Sequence, residues 1–319
     1  TGGQQHYTRE DIRIGASGKS ILAGGMVFDM PMRSSAATSL PLETAQPSSE
    51  VTCGGEAGTV EVDLKRHTCG ILVSTAIGLR AHNFRVVGGR VSSMAAVVIV
   101  EKESTLKTLL TAISARGDKL FSDQCVYLCS KGYPCRASRQ FLHNLHHELP
   151  EVPIIALVDG DPHGLRIALT FMGLFGERPT CLGTSRVLRG NGELPGLLEP
   201  SPATAAAAVA ALLPICWVGV RPSHVAHGSS GRACLTVHDQ QVLAQVVRRV
   251  GSVLESFSPF EGVGAYGCRG GGADREVVIQ RSLAEMMREA EWMQANSTKC
   301  SLQAWAQGPL QLIDNFVRR

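Results

Sequence analysis

The sequence predicts an α/β fold: a mostly parallel sheet flanked by helices, with a helical C-terminal extension and flexible insertions. Three observations predict it. Short apolar, β-branched runs recur at 95–100, 125–129 and 153–158. Each is followed by a stretch whose apolar residues repeat with helical spacing, and the joints between them carry Gly, Pro and acidic residues, the punctuation of strand-to-helix turns. With 44% of its 319 residues hydrophobic and 18% charged, the chain can bury a sizeable core, which excludes a disordered chain and a small disulfide scaffold.

Taken in order, residues 1–66 read as an N-terminal extension that includes a Ser/Ala/Pro-rich insertion over 32–60, and 67–319 as the domain that holds the sheet and the C-terminal helices. Ala95–Val100 (AAVVIV) is a strand, followed by a helix over 104–116 that stops at Gly117. Cys125–Cys129 (CVYLC) is a second strand with a helix over 136–148 behind it. Pro153–Val158 (PIIALV) is a third, leading into a helix over 163–174. The segment 201–220 has no charged residue and the length of a membrane span. Its alanine content and the central Pro214 instead divide it into a helix near 203–213 and a buried strand at 215–220, so no membrane partner is expected. Helices are expected at 237–256, 282–295 and 302–317, and further insertions at 186–203 and 251–275.

Thirty-one basic against 28 acidic residues leave a net charge of +3, too near neutral to argue for a nucleic-acid partner without a patch. The ten cysteines show no paired C-x-x-C spacing, which points to a reduced, intracellular setting, and the polar N-terminus has no secretory leader. The chain begins with Thr1, so a fragment or processed chain is expected. Gly15 to Ser20 (GASGKS) resembles the end of a phosphate-binding loop, but Arg13 stands where that pattern needs glycine, and Gly24-Gly25 would interrupt the helix that should follow. His143, His146 and His147 read as a solvated helix face rather than a zinc pair, and Cys125, Cys129 and Cys135 as core thiols.

In an open parallel sheet, ligands gather at the carboxyl ends of the strands. Those ends are acidic here: Val100 runs into Glu101 with Glu103 beyond it, and Val158 into Asp159-Gly160-Asp161-Pro162-His163-Gly164. Carboxylates at the ends of apolar strands repel one another and lose hydration, which a hard divalent cation offsets. Mg2+ takes such oxygen ligands. Gly160 is expected to turn the backbone so that Asp159 and Asp161 aim at one point, and Pro162 suits the first turn of a helix. A lone D-x-D can equally cap that helix; Glu101 at the matching end of another strand favours the metal. Glu103 reads as a helix-start carboxylate, and His163 either touches phosphate or sits at the helix start.

The strings V-E-K-E at 100–103, S-K-G-Y-P at 130–134, S-R-Q-F-L at 138–142 and L-V-D-G-D-P-H-G at 157–164 resemble the Toprim domain of the topoisomerase VI A-type chain. They resemble its eukaryotic relative, the meiotic double-strand-break transesterase, more closely still. The likeness continues through W-V-G-V-R-P-S at 217–223 and L-T-V-H-D at 235–239, spans about 67–319 and touches A-S-G-K-S-I-L-A-G at 16–24. It implies a Toprim fold, Glu101, Asp159 and Asp161 as Mg2+ ligands, and Lys131 and Arg139 as contacts to DNA phosphate. It also implies duplex DNA as substrate, a homodimer with a B-type ATPase-like partner, and a nuclear role. In that family a winged-helix tyrosine ahead of the segment resembling 16–24 attacks the DNA, leaving a 5′-phosphotyrosyl bond. Fifteen residues precede Ala16, so that tyrosine is not expected in this chain. Tyr7, Tyr127, Tyr133 and Tyr266 do not match its context. The alternative is a non-catalytic Toprim scaffold that binds DNA or partner proteins.

Overall fold

A computed structural model describes residues 18–31, 58–86, 94–176, 209–225, 231–257, 272–302 and 308–318. In chain order the first part comprises β1 (Ile21–Gly24), β2 (Met26–Pro31), β3 (Thr59–Asp63), β4 (Ile71–Leu72), α1 (Thr75–Arg80) and β5 (His82–Val86). The alternating part follows: β6 (Ala96–Val100), α2 (Glu103–Arg116), α3 (Lys119–Asp123), β7 (Cys125–Cys129), α4 (Arg136–Glu148), β8 (Ile154–Leu157), α5 (Pro162–Met172) and β9 (Ile215–Trp217). The last part is β10 (Arg232–Cys234), α6 (Val237–Leu254), α7 (Gly272–Asn296), β11 (Thr298–Cys300) and α8 (Pro309–Val317).

The main sheet runs β4-β1-β7-β6-β8-β9, with β7, β6, β8 and β9 mutually parallel and β1 antiparallel to both of its neighbours. β1 lies ahead of the boundary expected at 66/67, and it is hydrogen-bonded along its whole length to β7. A three-stranded antiparallel sheet, β3-β2-β5, and the antiparallel pair β10-β11 complete the strands among the described residues.

Strands β6, β7 and β8 are buried throughout, as strands covered on both faces must be. Their two-residue alternation sorts them into two cores. Val97, Ile99, Val126, Leu128 and Ile154 pack with Phe141, Leu145, Ile167, Val246 and Leu283 from α4, α5, α6 and α7. Ala96, Val98, Cys125, Tyr127 and Ile155 pack with Leu106, Leu109, Phe121 and Ile313 from α2, α3 and α8 on the other side. Helix α2 stops where Gly117 takes a left-handed φ of 60° and donates its N–H back to Ile113 and Ser114.

Several expectations are revised. The helix over 282–295 is the second half of the longer α7; of the helix over 302–317, α8 supplies 309–317 with Pro309 in its first turn, and 303–307 lie outside the described residues. The strand expected at 215–220 ends at Trp217, although the Val218 N–H still donates to Ala156 O at 3.0 Å; beyond it, a Cβ at Gly219 would lie 2.2 Å from the Val158 carbonyl oxygen. Most of the three insertions lies outside the described residues, as does 203–208 of the expected helix; Thr59-Val60, however, belong to β3, and 251–254 to α6. Gly18-Lys19-Ser20 runs into a strand, not a helix, so the phosphate-loop resemblance has no helix behind it. Among the described residues no helix is long and apolar enough to cross a membrane. The histidine face is solvated only at His147. His143 Nε2 and His146 Nδ1 are buried without a hydrogen-bond partner among the described residues, and burial, with Arg275 nearby, pushes both rings down to about 4.

Candidate functional site

Parallel pairing of Val100 with Leu157 puts the carboxyl ends of β6 and β8 side by side. Glu101 leaves the first and Asp159 follows the second, and they meet: the Asp159 backbone N–H donates to Glu101 Oε2 at 3.0 Å. Both side chains are buried, Glu101 to 7% exposure and Asp159 to 3%. Burial, reinforced by the charges of Asp159 and Asp161, pushes the Glu101 carboxyl up to about 7. Asp159 Oδ1 accepts the Leu302 N–H at 2.9 Å, and its Oδ2 accepts from the Lys102 ammonium. Asp161 caps α5, its Oδ1 accepting the Gly164 N–H at 2.6 Å, and burial pushes its carboxyl up against the pull of that N–H.

The capping alternative therefore holds for Asp161 and not for Asp159. With Asp161 turned to its helix and Lys102 on Asp159, no three His, Cys, Asp or Glu side chains among the described residues are grouped to hold a metal as they stand. The donor set nevertheless fits a hard cation: every candidate is a carboxylate, two are nearly sealed from water, and an ammonium already stands on one of them. Gly160 serves differently from the expected sharp turn. Its φ is not left-handed; a Cβ there would lie 2.4 Å from the Val220 carbonyl oxygen and 3.1 Å from Cys300 Sγ, so the need is for close approach.

Lys131 occupies the loop after β7. Lys131 and Gly132 both take left-handed φ values, 53° and 88°, and the loop is tied back by Ser130 N–H to Val100 O and Gly132 N–H to Glu101 O, each 3.0 Å. Its ammonium is partly exposed and pairs with Glu103 at 3.0 Å, while Lys107 takes the other Glu103 oxygen at 2.9 Å. Glu103 thus behaves as the helix-start carboxylate expected of it. Arg139, the other residue the resemblance implies for DNA, lies on α4 and is only 9% exposed, with its guanidinium beside Gly176.

Sequence reasoning missed a row of polar groups beside this edge. Tyr133 Oη and His163 Nδ1 are 2.8 Å apart, and His163 Nε2 lies 3.6 Å from Asp239 Oδ1. Asp239 is buried, pairs with Lys299 at 2.7 Å and closes a capping box with Thr236 at the start of α6. The T-x-x-D spacing at 236–239 signalled the cap, but nothing local signalled Lys299. Lys102 was likewise passed over, although it stands between two acidic residues in the sequence. Of the tyrosines, Tyr127 donates to Phe121 O at 2.8 Å, and burial pushes its phenol far up; burial also raises Tyr133. Tyr7 and Tyr266 lie outside the described residues.

Residues 96–180 match the Toprim domain family shared by the A-type chain of topoisomerase 6 and Spo11. The chain is 38% identical over 92 residues to Meiotic recombination protein SPO11-2 of Arabidopsis thaliana, covering 27% of this chain and 22% of that protein. It is 35% identical over 91 residues to the A3 chain of DNA topoisomerase 6 from Oryza sativa subsp. indica, covering 28% of this chain and 19% of that protein. The matched part spans about a fifth of the length of these curated relatives. Glu101, Lys131, Asp159 and Asp161 all fall inside it, so the acidic edge lies in the part of the chain that is similar to that Toprim domain.

Proposed function

We propose that this chain supplies the Mg2+-binding Toprim part of a topoisomerase-like transesterase that forms DNA double-strand breaks, as in the initiation of meiotic recombination. The observation that carries this reading is the convergence of Glu101 and Asp159, both buried, at adjoining strand ends, with Asp161 two residues on. Glu101, Asp159 and Asp161 would hold Mg2+, which when bound stabilises charge on phosphoryl and leaving oxygens. Leu302 fixes one oxygen of Asp159 in place, and the buried surroundings keep water from Glu101. Lys131, on an exposed loop of fixed backbone, binds a DNA phosphate. Tyr127 is not free to act as nucleophile, because its phenol is buried, bonded to a carbonyl oxygen and pushed towards its neutral form. The attacking tyrosine would come from a winged-helix domain, with a second protomer and a B-type ATPase-like partner completing a nuclear complex on duplex DNA.

Calorimetric titration with MgCl2 tests the site. Binding is expected, weakened about ten-fold or more by Asp159→Asn, because a ligand charge is lost. Unchanged binding in that variant overturns the ligand assignment. The second reading, a Toprim scaffold without catalysis, draws on Asp161 and Asp159 already having partners. A chain that binds duplex DNA but shows no Mg2+ binding would select it.

A further inference from the structure

We propose that Lys102 is a tethered cation that holds the metal's place on Asp159, and that a divalent ion binds by displacing its ammonium, which is then free for a DNA phosphate. This rests on the metal reading above and adds to it the order in which charges change places.

The two oxygens of Asp159 are held in different ways. Oδ1 is held by the Leu302 backbone N–H, and that donor cannot leave unless the segment of Cys300–Leu302 lifts from the loop, where Cys300 N–H also bonds Gly160 O at 2.9 Å. Oδ2 is held by Lys102, a side chain 38% exposed lying over a carboxylate 4% exposed. The exchangeable position on Asp159 is therefore the one the ammonium occupies.

Lys102 is also built to move. It is the N-cap residue of α2, with extended backbone (φ −108°, ψ 138°) and no side-chain bond to the helix it precedes. Four methylenes let its ammonium swing without backbone motion, and an ammonium is a compact point charge that a small cation can replace. Glu101, Asp159 and Asp161 lie around it, and the ammonium offsets part of their mutual repulsion. A divalent ion offsets more, and the two cations repel each other too strongly to share one oxygen. Lys107 and Lys131 pair with Glu103, Lys299 with Asp239 and Lys19 with the Tyr133 carbonyl, and Lys102 is the one seated on a candidate ligand. Once displaced it joins Lys131 among the cations available to a phosphate backbone.

The test uses the whole chain in three forms: unaltered, Lys102→Met, which keeps most of the stem, and Lys102→Arg, which keeps the charge. MgCl2 is titrated by calorimetry at fixed ionic strength. Lys102→Met is expected to bind Mg2+ about five-fold tighter than the unaltered chain, the size of effect that an ion pair of this exposure supports. Lys102→Arg is expected to bind no tighter. In parallel, lysines are reductively methylated with 13C and the Lys102 resonance, identified by its loss in Lys102→Arg, is followed by NMR. It is expected to shift with the calorimetric midpoint. A tighter Lys102→Met with an unmoved Lys102 signal overturns the exchange, as does Mg2+ binding that Lys102→Met leaves unchanged or weakens; both outcomes leave the metal reading standing. Absence of Mg2+ binding in both the unaltered chain and Lys102→Met overturns the metal reading and the exchange with it.

Discussion

Two loops leave neighbouring strands at the same edge of the sheet and are secured in opposite ways. The acid loop after β8 is clamped from far along the chain: Val220 and Pro222 press on Gly160, Cys300 bonds its carbonyl, Leu302 bonds Asp159, and Asp239 supports His163. The lysine loop after β7 is shaped chiefly by its own backbone, through two left-handed residues and two bonds to the end of the adjoining strand, with one distant tie from the Lys19 ammonium to Tyr133 O at 3.0 Å. Lys131 and Tyr133 on it are partly exposed, Tyr133 by 40%, with the Tyr133 hydroxyl reaching His163 of the acid loop. Ligands for a cation need fixed positions, whereas contacts to a flexible polyanion need side chains that can change partners. The difference between the loops follows that division.

Three variants break or sharpen this contrast. The largest effect is expected at the clamp: Gly160→Ala places a Cβ against main-chain atoms that cannot rotate away, and unfolding by urea should show a loss of about 2–4 kcal/mol. A loss below about 0.5 kcal/mol would mean the clamp yields and the two loops are alike. A smaller effect is expected at Asp239. Burial works against its charge, but Lys299 and Thr236 hold its carboxyl down to about 2 from an ordinary 3.8. The folded state thus binds its proton less readily than the unfolded state. The resulting stabilisation, about 2 kcal/mol, is complete above the ordinary value and is lost as pH falls through about 2. The stability gap between the unaltered chain and Asp239→Asn, measured by denaturant at pH 6 and pH 2.5, should narrow at the lower pH; a constant gap refutes the role of the ion pair. The smallest effect is expected in the lysine loop, where Lys131→Ala should change stability by no more than about 0.5 kcal/mol. In fluorescence anisotropy across salt concentrations, the same change should reduce the salt slope of duplex binding by about one. An unaltered slope would place the phosphate contact elsewhere.

What was legible in the sequence were features with a local period. Strands β6, β7 and β8 announce themselves as β-branched runs, α2 by its glycine stop, and Glu101, Asp159 and Asp161 by following the strands directly. What was not legible depends on segments that meet only after folding. Arg139 meets Gly176, Lys102 sits at the end of another strand, and Asp239 is supported by Lys299. The need for glycine at 160 looked like a turn because sequence shows the residue but not the Val220 carbonyl beside it. Charge was uninformative for the same reason: the cations and carboxylates of this edge are paired with one another, so they cancel in a net count.

The bond from Leu302 to Asp159 joins residues 143 positions apart. Closing so long a loop adds little to its entropic cost, since that cost grows only with the logarithm of length, but pairings this distant form late. During synthesis the strands β6, β7 and β8 emerge and can pair well before residue 302 exists. The nascent domain therefore passes through a stage in which the sheet is built while Asp159 and Gly160 still await their backbone partners. A late step of assembly is the one that finishes the site.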